Sequence, residues 1–250
     1  MSPFAPRKLR RDVISRSERR LKKLHEACGW DKSKNKTSET IGGTMRWDFE
    51  NKLIAADTDD DSIHAIFYKF DALGRRVGRD DDTANVVYFQ DGQQTVADYP
   101  FGTDATTPTY TYVYASYIDE PVMRGGSGGL RYYHRNQQYS ITAVTDGGGA
   151  VVERYAYSAY GQVTIADAAG SQISNSGISN RYTYTGREWD EGLSLYHYRA
   201  RMYDSVSGRF CSRDPIGFIG GQRNLMAMFG THRYATTIRR DCSSTRWAER

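Results

Sequence analysis

Apolar and polar positions alternate through YSITAVT at 139–145 and, after DGGG at 146–149, through AVVERYAY at 150–157. A period of two puts successive side chains on opposite faces of a strand. Glycines that tolerate positive φ between two such runs predict a hairpin. From about residue 40 the same pattern recurs in MRWDFENKLIAA, IFYKFDALGRRVGR, VVYFQDG and TYTYVYASYI, interrupted by DTDDDS, DDDTAN and RGGSGGL. Further on, YTYTGREW predicts Tyr182 and Tyr184 on one face, and LSLYHYRARMYD predicts Tyr196, Tyr198, Ala200 and Met202 on another, before SVSG at 205–208 turns the chain into RFC. Residues 8–28 read differently, with Leu9, Val13, Leu21, Leu24 and Cys28 on one helical stripe surrounded by Arg and Lys. The pattern predicts an all-β array of antiparallel hairpins carrying a basic N-terminal helix and an irregular C-terminal tail.

Three segments also share a degenerate repeat: Trp47-Asp48 with Asn51, Phe70-Asp71 with Gly74, and Tyr157-Ser158 with Gly161. Each places an aromatic, a small polar residue and, four positions after the aromatic, a turn former. Units that cannot bury a face alone must stack on their neighbours, so the repeat predicts one continuous curling sheet.

Composition agrees: 19 Tyr and 24 Gly against 6 Pro suit pleated surfaces joined by tight turns. With 38% hydrophobic residues and a mean hydropathy of −0.70, the 250-residue chain reads as polar and globular. It contains no run near the roughly 20 apolar residues of a spanning helix, and no apolar core of a secretory signal follows the basic N-terminus. The net charge of +4 is uneven, because residues 1–36 hold twelve Lys and Arg against four acids, leaving a mildly acidic body. Residues 7–23 therefore offer a contact for an anionic surface, but the favoured reading is a solvated helix or an upstream extension foreign to the domain; no specific nucleic-acid reader is indicated. Cys28, Cys211 and Cys242 are too dispersed for a zinc site or a disulfide framework.

YKFDALGRRVGR resembles a YD repeat, YYHRNQQYSITAVTDGGGAVVERYAYSAYGQ resembles the repeat pair that precedes the core of RHS proteins, and YTYTGREWDEGLSLYHYRARMYDSVSGRFCSRDPIGF resembles the RHS repeat-associated core. The resemblance covers about residues 40–221. It implies a bacterial YD-repeat protein, cell-surface, cell wall-associated or secreted, whose sheet spirals into a shell around a variable C-terminal toxin. At this length the chain looks like a C-terminal fragment or relic with too few strands to close a shell. The expected divisions are a basic helical extension at 1–38, YD-repeat hairpins at 39–170, the repeat-associated core at 171–221 and a variable or disordered tail at 222–250. Partners implied are the chain's own C-terminal segment or other RHS chains.

Family members that release their toxin use an aspartyl autoproteolysis built on two Asp-Pro-x-Gly motifs eighteen residues apart, with an arginine before the first. Arg213, Asp214, Pro215, Ile216 and Gly217 match the first motif. The second should begin near Thr236, where the sequence reads ATTIRRD; Asp241 is five positions late and is followed by Cys242. One carboxylate cannot share a proton as a dyad does, so the catalytic candidates Arg213 and Asp214 are half a motif. The competing expectation is that Asp214 is a turn residue before Pro215, with Arg213 as its partner or as a surface charge.

Other chemistry is weaker. DTDDDSIHAIFY at 57–68 starts like a calcium loop but has Ser62 at the glycine position and Tyr68 at the glutamate position. His25, His64, His134, His197 and His232 lack metal-ligand spacing, and His134 and His197 are expected to make cross-strand polar contacts. No cofactor or metal is expected. The leading functional expectation is a non-catalytic structural protein; the alternatives are a self-cleaving core and a binding module in which exposed tyrosines stack on cell-surface glycans.

Overall fold

The computed structural model describes residues 44–57, 65–81, 85–102, 106–217 and 224–228. The predicted helix at 8–28, most of the calcium-like loop and most of the tail lie outside the described residues. Thirteen strands form one antiparallel sheet in which every strand pairs with its neighbour in sequence: β1 Thr44–Trp47, β2 Leu53–Asp57, β3 Ala65–Phe70, β4 Arg76–Asp80, β5 Asn85–Asp91, β6 Gln94–Pro100, β7 Tyr110–Tyr114, β8 Pro121–Gly126, β9 Arg131–Arg135, β10 Ile141–Asp146, β11 Val151–Tyr157, β12 Val163–Asp167 and β13 Gln172–Ile173. A single 3-10 turn at Tyr184–Gly186 leads into a second sheet of β14 Glu188–Asp190, β15 Leu195–Tyr198, β16 Arg201–Asp204 and β17 Arg209–Phe210.

The repeat seen in the sequence is a turn chemistry. At Asp48, Asp71, Asn136 and Asp146 a side-chain Oδ1 accepts from the backbone N–H groups two and four residues on, at 2.8–3.1 Å. Ser158 and Asp167 accept from the fourth residue at 3.0 and 2.8 Å. In all six turns the third residue after the polar one, Asn51, Gly74, Tyr139, Gly149, Gly161 or Gly170, takes a positive φ. A type I turn closed by a left-handed residue inserts a bulge, and the ladders shift register beside Trp47, Phe70 and Thr145 accordingly. The sequence repeat identified the turns at Asp48, Asp71 and Ser158, and the DGGG run identified the one at Asp146. Asn136 and Asp167 do not stand out in the series because no aromatic precedes either.

Alternation then selects one face. Tyr68, Tyr88, Tyr112, Tyr133 and Tyr155, on β3, β5, β7, β9 and β11, are all buried. Directly across the ladder from them stand Arg79, Asp98, Arg124, Val144 and Ile165. The four-stranded sheet packs on this face: Leu193, Leu195, Met202 and Cys211 join Met45, Leu53, Ile66 and Tyr68 in one cluster, while Tyr182 enters a second with Tyr112, Tyr133 and Ile141. Because the ladder tyrosines are buried, they are not available to stack on a sugar.

One local expectation fails. The run LSLYHYRARMYD does not continue as one strand, because the chain reverses at Arg199-Ala200 and Tyr198 pairs with Arg201. Arg199 holds the positive φ of this turn without any glycine, asparagine or proline to announce it. Of the expected irregular tail, the described residues 224–228 form turn and bridge structure against the core: Phe210 N donates to Met226 O at 2.9 Å, and Arg209 bridges Ala227.

Candidate functional site

The seam between the two sheets is polar. Arg76 and Arg79 come from β4, Asp98 from β6 and Arg124 from β8; Arg181, Glu188 and Asp190 come from the opposing core segment. Arg76 pairs with Glu188, and Arg79 binds Asp190 through two contacts at 3.0 and 3.2 Å. Arg181 binds Asp98 bidentately, with Nη2 to Oδ1 at 3.0 Å, while its Nε lies 3.2 Å from Glu188 Oε2. The same guanidinium sits 4.7–5.0 Å from the ring centres of Tyr88, Tyr112 and Tyr182. Tyr68 OH donates to Asp190 Oδ2 at 2.6 Å and Tyr112 OH to Asp98 Oδ2 at 2.8 Å, so the ladder tyrosines hydrogen-bond the carboxylates that anchor the arginines. Arg124 donates to the Ser179 and Ile178 carbonyls at 3.0 and 2.8 Å.

Burial and neighbouring charges together set the protonation states. It opposes ionisation of Glu188, but the Arg76 and Arg181 guanidiniums overcome it and hold the carboxyl at about 2. Burial drives the Tyr68 and Tyr112 hydroxyls well above their usual range, keeping them neutral donors. Burial, reinforced by Arg76, pushes His197 well below the usual imidazole value. His197 lies over the seam with its Nε2 unpartnered, whereas His134 makes the expected cross-strand contact, Nε2 to Thr145 Oγ1 at 3.1 Å.

Close approach fixes two glycines. Gly186 has φ +70°, and a Cβ there would stand 1.8 Å from the Asp119 carbonyl oxygen; at Gly161, φ +90°, a Cβ would meet the Tyr184 ring at 2.4 Å. Gly186 therefore lets the core segment reach the loop where Asp119 pairs with Arg187 at 2.7 Å and with Arg199 at 2.5 Å.

The Asp-Pro motif lies beyond β17. Asp214 Oδ1 accepts from Ile216 N at 3.0 Å, its carbonyl accepts from Gly217 N at 2.9 Å, and its own N–H donates to Leu225 O at 3.0 Å. Its ionic partner is Arg201, Nη2 to Oδ2 at 3.1 Å, across the core sheet; of the two roles expected for Arg213, partner or surface charge, its exposed side chain fits the second. The structure thus separates Arg213 from Asp214 and brings Arg201 to it, while Asp241 lies outside the described residues. Among the described residues no cluster of three metal-ligating side chains occurs, and no helix is long and apolar enough to cross a membrane.

Sequence reading overlooked the seam residues. Their signal was present: Arg76, Asp98 and Arg124 occupy positions of half-buried strands where alternation calls for an inward side chain.

A serial hairpin sheet with a second sheet packed over its tyrosine face defines an all-β, two-sheet hairpin-repeat module. Comparison with known proteins agrees. No family model matches the chain. It is 31% identical over 200 residues to the tRNA nuclease WapA of Bacillus subtilis (strain 168), a match that covers 76% of this chain and 8% of that protein. It is 26% identical to the probable deoxyribonuclease RhsA of Dickeya dadantii (strain 3937), covering 72% of this chain and 12% of the relative. Among solved structures, TcdB2-TccC3 superposes with a TM-score of 0.60 at 20% identity, over 80% of this chain and 10% of that one. The chain belongs to the RHS/YD-repeat family. It spans about 8% of the length of the WapA proteins it matches.

Proposed function

We propose that this chain is a non-catalytic structural segment of an RHS β-shell, in which the repeat-associated core clamps onto the YD-repeat hairpins to help enclose or display a C-terminal toxin at the cell surface or outside the cell. The observation that carries this reading is the seam, in which buried guanidiniums bind carboxylates of the opposite sheet and the Arg181 guanidinium sits over ladder tyrosines. Such pairs require exact partners to offset their desolvation, so they favour one docking geometry over others. The partners it implies are its own C-terminal segment or another RHS or toxin chain.

Self-cleavage is the second reading, and the Asp214 geometry weighs against it. A carboxylate that binds Arg201 and accepts from the Ile216 backbone N–H is engaged as a turn residue. The test is the intact mass of the purified chain and of Asp214→Ala after prolonged incubation at mildly acidic and neutral pH, with tRNA and double-stranded DNA present. Full-length protein and uncut nucleic acid in both samples are expected. Loss of a C-terminal piece only when Asp214 is present, or nucleic-acid cleavage, would overturn the non-catalytic reading.

A further inference from the structure

The four-stranded sheet covers one face of the thirteen-stranded sheet, the face of the ladder tyrosines. Five apolar residues adjoin those tyrosines in sequence and therefore point from the opposite face: Phe67 beside Tyr68, Val87 and Phe89 on either side of Tyr88, Val113 beside Tyr112, and Tyr132 beside Tyr133. All five are exposed, from 37% at Val87 to 61% at Phe89. Register joins them into rows. Val87 stands across from Tyr99; Phe89, Ala97, Thr111 and Gly125 form a second row, and Val113, Met123 and Tyr132 a third. Leu130 reaches towards Gly125, and Phe101 lies under the Lys69 ammonium, 4.7 Å from its ring centre, which extends the apolar band at both ends.

Charge narrows what can cover this band. The second and third rows carry none, and at the β3–β4 end Lys69 and Asp80 supply one charge of each sign, 3.9 Å apart. A phosphate backbone or an anionic membrane calls for an excess of Lys and Arg, so charge complementarity favours an apolar, electrically balanced partner. A second copy of the same band meets that description, because a two-fold axis sets one patch against its own image and a balanced band does not repel itself. Area agrees. Four aromatic and three aliphatic side chains, 37–61% exposed, present roughly 600 Å² of apolar surface, the upper end of what a monomer leaves in one patch. The half-buried Tyr99 and Met123 bring the band towards the roughly 800 Å² per partner of a standard interface. Twisted sheets stack face to face with their strands within about 30°, so the band can be buried as a unit.

We propose that the outer face of β3–β9 is a self-association surface on which two copies of this chain pack sheet on sheet. This narrows the RHS-chain partner of the reading above to a second copy, and it uses a face that neither the seam nor Asp214 shares, so its failure leaves the intact-mass test untouched. Sedimentation equilibrium of the full chain between about 1 and 100 μM tests it. A mass rising from 28.3 kDa towards twice that value is expected. Phe89→Lys and Val113→Lys, each placing a charge in an uncharged row, should raise the dimer dissociation constant about tenfold or more with the far-ultraviolet circular dichroism unchanged. Phe49→Lys, at a 93% exposed residue in the β1–β2 turn rather than in the band, should leave it unaltered. The Val87 and Val113 methyl resonances of the unsubstituted chain should shift over the same concentrations, a reading that needs no variant to fold. A monomer at every concentration, including one that instead floats with phosphatidylcholine vesicles, masses growing beyond the dimer, stationary methyl signals, a dissociation constant unmoved by both lysines in folded chains, or one moved equally by Phe49→Lys would each overturn the proposal.

Discussion

Replacing Arg181 by methionine tests the seam most directly. The substitution keeps an unbranched apolar stem between Tyr88, Tyr112 and Tyr182 but removes the charge that binds Asp98. Glu188 retains Arg76, so the damage concentrates on Asp98, which is only 3% exposed and keeps the Tyr112 hydroxyl as a partner. Stranding one member of a buried pair costs roughly 3–5 kcal/mol. Desolvated cation–π contacts reach about 2 kcal/mol, but the methionine stem recovers part of that packing, so a loss of about 4 kcal/mol is expected. Urea unfolding at pH 7, followed by tyrosine fluorescence and by circular dichroism, measures it. The double substitution Arg181→Met with Asp98→Asn should recover about 2 kcal/mol, because the amide still accepts from Tyr112 and no charge is left unpaired. A single-substitution loss below about 1 kcal/mol would refute the view that this arginine clamps the sheets, since that is the size of an exposed pair.

Gly186→Ala should cost well over the roughly 1–2 kcal/mol of a left-handed alanine, because the added carbon meets the Asp119 carbonyl; Gly102→Ala, also at positive φ but with nothing within 4 Å, should cost only the backbone part, and equal losses in urea would refute the close-approach argument. Glu188 titrates at about 2 in the folded chain against an ordinary 4.5, so the unfolded chain binds more protons between those values. Stability present above pH 4.5 should therefore fall by about 3 kcal/mol as pH drops through that window, and Glu188→Gln should flatten this limb of a pH series of urea melts. Asp146→Ala removes the acceptor of two turn N–H groups and should cost about 1 kcal/mol while Asp146→Asn costs less, with amide exchange of Gly148 and Ala150 as the local readout.

Local chemistry made the hairpins legible. A small polar residue that can bond the N–H two or four places ahead, followed by a residue tolerant of positive φ, is a short-range instruction, and Asp71 with Gly74 or Asp146 with Gly149 carries it whatever surrounds them. The turn at Arg199 was illegible for the converse reason. Its side chain is tied to Asp119, eighty residues earlier, and that contact belongs to the assembled seam rather than to the local chain.

What the sequence determined by itself was the all-β class, the serial hairpins, the alternation that put tyrosines on one face, and a single Asp-Pro-x-Gly motif. Each depends on neighbours within a few residues or on strand periodicity. Tertiary structure alone decided that the tyrosine face would be covered, that Arg76, Arg79 and Arg181 would bind carboxylates more than eighty residues away, and that Asp214 would pair with Arg201 rather than Arg213. Charges cost too much to bury unless a partner is delivered, and which partner arrives is set by how the second sheet docks, a long-range arrangement that no local pattern encodes.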